Sequence, residues 1–350
     1  MATVASAQRV TEKERKLWQV FERRHFESGI AIDNASSEDV LRLLDVPAVF
    51  ERLGMPLPDG HDRMLHALAD NRLVAPSAAG SWDITNLGAI LFARRLSDLN
   101  LGRKAVRLII YAGPNRIQTV QEFPEPRGYA LALDATMERL AGVLPTREFL
   151  EGARQRAQPD FPEPALRELI ANALIHQDFS ISGTGPLIEV FDGRVEITNP
   201  GDPLVPTTRF LDTAPRSRND ALAAMMRRLN LCEERGSGID KVMLHVELNH
   251  LPAPSFQLPP GATRVVLFGP RPLSGMTRAE RVDVCYWHAA LRYLQHEALT
   301  NASLRERFGM TDDARSLISR YIREAVEDEK IRPADPAASP KQMRYVPWWA

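Results

Sequence analysis

The dipeptide Asp192-Gly193 stands between two apolar runs, Leu187-Ile188-Glu189-Val190-Phe191 and Val195-Glu196-Ile197. Both residue types tolerate the positive φ that a two-residue connection demands, so the pattern predicts a tight antiparallel hairpin. The flanking sequence is mostly helical. Apolar periodicity marks helices from near Pro164 to His176 and again after Gly238, and Val265-Val266-Leu267-Phe268 reads as a further strand. A hairpin embedded among helices excludes an all-parallel doubly wound sheet. It predicts a mixed sheet covered by helices on one side, an α/β sandwich.

The remainder of the 350 residues divides around this centre. Residues 1–35 read as a helical extension, or as the remnant of another domain. Segment 36–100 reads as a small helical, winged-helix-like unit: Ser36 supplies an N-cap signal, and a helix over 61–73 is followed by a short hairpin and a helix over 87–95. Segment 101–272 is the α/β domain, with a nearly continuous apolar strand at 106–111, a helix over 129–144, and Arg154 to Pro164 as a polar, proline-rich entry into the segment that follows. Residues 273–350 form a separate helical domain. The 44 Lys plus Arg balance 45 Asp plus Glu, so any contact with nucleic acid has to come from a local patch. Cys232 and Cys285 lack ligand spacing and read as free thiols of a cytoplasmic protein. No apolar run has the length to span a membrane.

Chemistry concentrates between 165 and 240. Glu168, Asn172 and His176 recur every four residues and therefore share one face of a helix, while Leu166, Leu169, Ile170, Ala173 and Leu174 supply its apolar side. An amide oxygen such as that of Asn172 suits Mg²⁺, which keeps most of its waters and binds through phosphates. A carboxylate one turn earlier can orient or deprotonate a water aimed at phosphorus. The same side chains would serve equally to tie the helix to neighbouring loops. Arg235-Gly236-Ser237-Gly238 precedes an apolar helix, a pattern that suits an anion at the helix start or a plain tight turn. Asn199-Pro200-Gly201 ends the second hairpin strand, its amide placed to read a base or ribose or to cap the loop. Arg216, Arg218 and Asn219 close the long loop that follows, suited to a polyphosphate or to a solvated loop tip.

The blocks ALRELIANALIHQDFS, IEVFDGRVEITNPG and SRNDALAAMMRRLNLCEERGSGIDKV, in that order over 165–268, resemble the ATP-binding domain of RecG-like, Schlafen-associated (AlbA_2-type) bacterial regulators. That domain is a divergent member of the gyrase–Hsp90–histidine kinase–MutL (GHKL) superfamily, the Bergerat fold. The resemblance implies ATP and Mg²⁺ as cofactors, with Glu168 as general base and Asn172 as the magnesium-chelating asparagine. It implies that His176 and Asp178 form the family's His-x-Asp, that Asn199 and Gly201 stand where relatives read adenine, and that Arg218-Asn219 and the glycine box Gly236, Ser237 and Gly238 lie near the phosphates. Loop 201–217 would be the lid. The superfamily's Asp-x-Gly-x-Gly box is missing, and with it the usual adenine-reading aspartate. The family usually carries an AlbA-type domain ahead of the segment resembling 36–112, and the 30-odd residues here are too few for it.

The last 75 residues follow the winged helix-turn-helix order, and the resembling regulators often end this way. Helix 314–329 would then enter the major groove of double-stranded DNA with Arg315, Ser316, Ser319, Arg320 and Arg323, and Lys341 or Arg344 would make the wing contact. Residues 276–350 hold 12 Lys plus Arg against 11 Asp plus Glu, and the acids Glu324, Glu327, Asp328 and Glu329 fall at the far end of that helix, leaving its start basic. The aromatic tail Trp348-Trp349 is a candidate homodimer contact. The leading expectation is a DNA-binding transcriptional regulator that binds ATP, with or without slow hydrolysis. Its rivals are a pseudo-ATPase scaffold and an ATPase of a DNA-processing or defence system. No Walker A sequence occurs, which excludes a P-loop helicase.

Overall fold

The computed structural model describes residues 26–77, 80–151, 154–214, 216–232, 238–339 and 342–350. Gly236, Ser237, Lys341 and the greater part of the expected N-terminal extension lie outside them. Among the described residues are three successive units.

Among the described residues the first unit opens with strand β1 (Ile30–Ala35), at the end of the segment read as a helical extension or domain remnant. It pairs antiparallel with β3 (Trp82–Thr85), which pairs in turn with β2 (Val74–Pro76). Helices α1 (Ser37–Leu43), α2 (Val46–Leu53), α3 (His61–Asp70) and α4 (Asn86–Phe92) complete it. The Ser36 cap is real: its hydroxyl accepts the Asp39 N–H at 3.1 Å.

The central unit contains β4 (Val106–Tyr111), β5 (Thr119–Glu125), α5 (Tyr129–Val143), a two-stranded hairpin of β6 (Thr146–Glu151) and β7 (Arg154–Pro159), and α6 (Glu163–Ile175). There follow β8 (Leu187–Phe191), β9 (Arg194–Pro200), α7 (Asp220–Arg228), α8 (Gly238–Leu248), β10 (Ser255–Gln257) and β11 (Ala262–Phe268). Six of these strands form one mixed sheet in the order β10-β11-β9-β8-β4-β5. Only β4 and β8 run parallel, joined by the long crossover through α5 and α6. The hairpin at Asp192-Gly193 forms as expected, with Gly193 at φ +73°. The polar, proline-rich entry from Arg154 contains strand β7.

Strand alternation gives the sheet two unlike faces. Val106, Leu108, Ile188, Val190, Val195, Ile197, Val265 and Leu267 point toward α5, α6 and α8 and join a core that continues into the first unit. The opposite face holds buried Glu189 and Glu196 under arginines: Arg116 Nε lies 2.6 Å from Glu189, and Arg194 Nε 2.8 Å from Glu196. The N-terminal segment is stapled to the central unit. Phe26 stacks on Phe179 at 3.9 Å, and the Glu27 carboxylate accepts the N–H groups of Ala221 and Leu222 at the start of α7.

The third unit comprises α9 (Arg278–Leu294), α10 (Asn301–Arg307), α11 (Arg315–Glu327) and a two-stranded antiparallel sheet of β12 (Ile331–Pro333) and β13 (Tyr345–Pro347). Both α9 and α10 start in capping boxes, at Thr277 and Thr300. Its core takes in Leu211, Met243 and Ala253 from the central unit.

Candidate functional site

A cavity of about 550 Å³ opens between α6, α8, the loop 202–218 and the end of the sheet. That volume suits a nucleotide-sized ligand. One wall is the polar face of α6, where the four-residue spacing places Glu168, Asn172 and His176 in a line along the cavity. Asn172 Nδ2 donates to Glu168 Oε1 at 3.2 Å, which leaves the amide oxygen as the atom the side chain can offer a ligand. His176 closes the helix as its C-cap. Burial, reinforced by the Arg218 charge, pushes its imidazole down to about 4, so it faces the cavity neutral at pH 7.

The opposite wall starts at Gly238, the first residue of α8. A Cβ there would lie 1.8 Å from Glu168 Oε1, so only glycine lets α8 approach the carboxylate this closely. The floor is built from paired strands. Asn199 on β9 is the direct partner of Thr263 on β11, and both line the cavity. Asn199 Nδ2 donates to the Pro200 carbonyl at 3.2 Å, and Thr263 Oγ1 to the Gly201 carbonyl at 2.7 Å. Apolar surface comes from Leu169, Ala173, Ile197, Leu204, Phe210 and Val265.

Not every residue singled out in the sequence reaches this space. Asp178, Gly201 and Asn219 stand behind the wall. Asp178 accepts from Arg218 Nη1 at 2.6 Å, and Arg218 Nη2 donates to the Asp202 carbonyl at 2.6 Å. Arg218 borders the cavity, but its charge is committed to a buried pair that fixes the 178 and 201 corners together. Gly201 sits at φ +102° with Asp178 Cβ only 2.8 Å from where a side chain would begin. Asn219 Nδ2 donates to the Ile175 and Gln177 carbonyls, closing the C-terminal end of α6. The cationic groups that line the cavity with no ion-pair partner among the described residues are Arg216 and Arg227. The motifs missed Arg227 and Thr263. Asp220, Ala223 and Arg227 share one face of α7 at helical spacing, a signal present in the sequence. Thr263 becomes legible only through its pairing with Asn199.

In the third unit Arg315, Ser316, Ser319, Arg320, Arg323 and Arg344 are all exposed. Arg315 pairs with Asp312 at 3.2 Å, and Ser319 Oγ accepts from Asn301 Nδ2 at 2.9 Å. Arg323 and Arg344 have no ion-pair partner among the described residues. The aromatic tail packs within its own chain: Trp349 Nε1 donates to the Tyr286 hydroxyl at 3.0 Å, and its ring meets Tyr293 edge-on at 5.4 Å.

This is a mixed α/β sandwich with a nucleotide-sized cavity at the end of its sheet. Residues 183–267 match the family model described as putative ATP-dependent DNA helicase recG C-terminal, a stretch running from just before β8 to the end of β11. Among solved structures the chain is similar to the crystal structure of the DIP2311 protein from Corynebacterium diphtheriae, with a TM-score of 0.58 and 18% identity. The similarity covers 95% of this chain and 67% of that one, and at this identity it is a likeness of fold. No curated protein matches. No helix among the described residues is long and apolar enough to cross a membrane.

Proposed function

We propose that the chain is an ATP-binding, DNA-binding regulator of the GHKL type, with the nucleotide held as Mg-ATP between α6 and the start of α8. The observation that carries this reading is the convergence on one cavity of the α6 line, the Asn199–Thr263 pair and the glycine start of α8. The donor set fits a nucleotide-bound cation. No cluster of three or more His, Cys, Asp or Glu that could hold a metal occurs among the described residues. An amide oxygen beside phosphates and water is the coordination Mg²⁺ accepts.

When bound, Mg²⁺ neutralises phosphate charge. The protein's own groups do the rest. Asn172 offers the metal its amide oxygen and braces Glu168 with its N–H. Glu168 is the base positioned for a water, held at the glycine of α8. Asn199 and Thr263 present polar atoms to the base, the amide taking the place of the superfamily's aspartate. Arg216 and Arg227 supply charge for the phosphates. Asp178, Arg218 and Asn219 act behind the wall, keeping the Asn199-Pro200-Gly201 corner and α6 in register. The third unit reads as the winged domain, with α11 presenting Arg320 and Arg323 to the major groove and Arg344 on the wing.

Titration calorimetry with ATP and Mg²⁺ tests the reading. The wild type binds, Asn172→Ala loses about 100-fold in Mg²⁺-dependent affinity, or about 2.7 kcal/mol, and Glu168→Ala binds without turnover. Equal heats for wild type and Asn172→Ala, or none for either, reject it and leave a scaffold. For DNA, Arg320→Ala should lower affinity and reduce the slope of log affinity against log salt by about one.

A further inference from the structure

The loop over the cavity is packed on both sides. Phe210 lines the cavity, whereas its neighbour Leu211 is buried in the hydrophobic core of the third unit. The Thr208 carbonyl accepts a hydrogen bond from the Tyr286 hydroxyl on α9. The Arg209 guanidinium lies over the Trp349 ring at 5.0 Å and the Trp348 ring at 5.7 Å. Phe210 meets Phe256, which also lines the cavity, edge-on at 5.1 Å, and from there edge-on aromatic contacts lead into the third unit, to Trp287 at 5.7 Å and Tyr286 at 4.9 Å. A second attachment lies at the far end of α8. Glu247 is bonded to His288 Nδ1 at 2.9 Å, and buried Arg307 donates to the Leu251 carbonyl at 2.5 Å.

We propose that residues 207–211 are a strap that ties occupancy of the cavity to the placement of the third unit. This rests on the nucleotide reading and adds its regulation. A packed interior transmits displacement rather than absorbing it, so a ligand that shifts Phe210 must shift or release Tyr286 and Trp349. The third unit is held from two sides, by α8 with the segment after it (Met243, Glu247, Ala253 and Phe256) and by the loop. Movement of the loop alone therefore tilts the unit against the α8 side. Linkage makes the effect mutual: whatever fixes the third unit in one orientation changes affinity in the cavity by the same factor.

Hydrogen exchange on the full chain, with and without Mg-ATP, tests the strap. In the wild type Mg-ATP should change exchange by about threefold or more, both in the loop 203–214 and in the C-terminal stretch 342–350. In Tyr286→Phe/Arg209→Ala, neither residue of which lines the cavity, the loop should still respond while 342–350 no longer does. Without nucleotide, the same double variant should speed exchange in both segments together. Nucleotide binding with a loop response but none at 342–350 in the wild type overturns the strap and leaves the binding site standing. Loosening of one segment alone in the double variant also overturns it. Absence of any calorimetric heat with Mg-ATP overturns both.

Discussion

Two clusters in this chain use nearly the same side chains. On α6, Glu168, Asn172 and His176 line a cavity. Between α8 and the third unit, Glu247, His288 and Ser303 stand in the order and spacing of a hydrolytic triad, with His288 2.9 Å from Glu247 and 3.1 Å from Ser303. Access separates them. Ser303 is buried, and its hydroxyl serves the Thr300 capping box, accepting the Thr300 N–H at 3.0 Å and donating to the Thr300 carbonyl at 3.1 Å. The His176 ring has no hydrogen-bond partner among the described residues and borders open space. Carboxylate, imidazole and hydroxyl at bonding distance make a rivet when every group is used. They make a site when one face is left for a ligand.

The contrast can be broken from either side. Gly238→Ala should have the largest effect, because its methyl would take the position of the Glu168 carboxylate and push that charge into the space between α6 and α8 where the phosphates would lie. We expect nucleotide affinity to fall by at least about 100-fold, roughly 2.7 kcal/mol, read by calorimetry, with circular dichroism retaining the fold. His288→Ala attacks the rivet instead. It should cost about 2 kcal/mol in urea unfolding, by removing the hydrogen bonds to Glu247 and Ser303 and leaving Arg307 as the ion-pair partner of Glu247.

A smaller effect comes from acid. The His176 imidazole titrates near 4 when folded, against 6.5 for a free side chain. As pH falls below about 6.5 the unfolded chain takes up this proton first, so stability is full above that value and declines down to about 4. Denaturant midpoints of His176→Gln, measured from pH 7 to 4, should decline less than the wild type's. An unchanged decline would remove His176 from the account. The smallest effect is on the thiols. Cys232 borders the cavity, whereas burial holds Cys285 up to about 12. A maleimide should label Cys232 alone in the native protein, and Mg-ATP should slow that labelling.

How far the sequence announced all this follows from the range of each interaction. The hairpin at Asp192-Gly193 and the α6 line depend on residues a few positions apart, and both emerged where local chemistry placed them. Strand β7 did not, because Arg154-Gln155-Arg156 shows no apolar alternation, and the strand gains its partner only from β6. The committed pair Arg218–Asp178 spans 40 residues, and the Asn199–Thr263 partnership depends on the order of β11 and β9. Motif spacing put Arg218 near the phosphates. It could not show that a buried carboxylate already claims the guanidinium. Leu211 is the extreme case: an isolated leucine in a proline-rich loop, whose neighbours lie in another unit altogether.

The Glu27 carboxylate at the start of α7 carries a practical lesson. Any shortened form of the protein that begins after residue 27 strips two backbone N–H groups of their acceptor and frees the first turn of the helix that carries Arg227. Such a fragment would fray beside its own ligand site, and weak nucleotide binding by it would report on the missing glutamate rather than on the cavity.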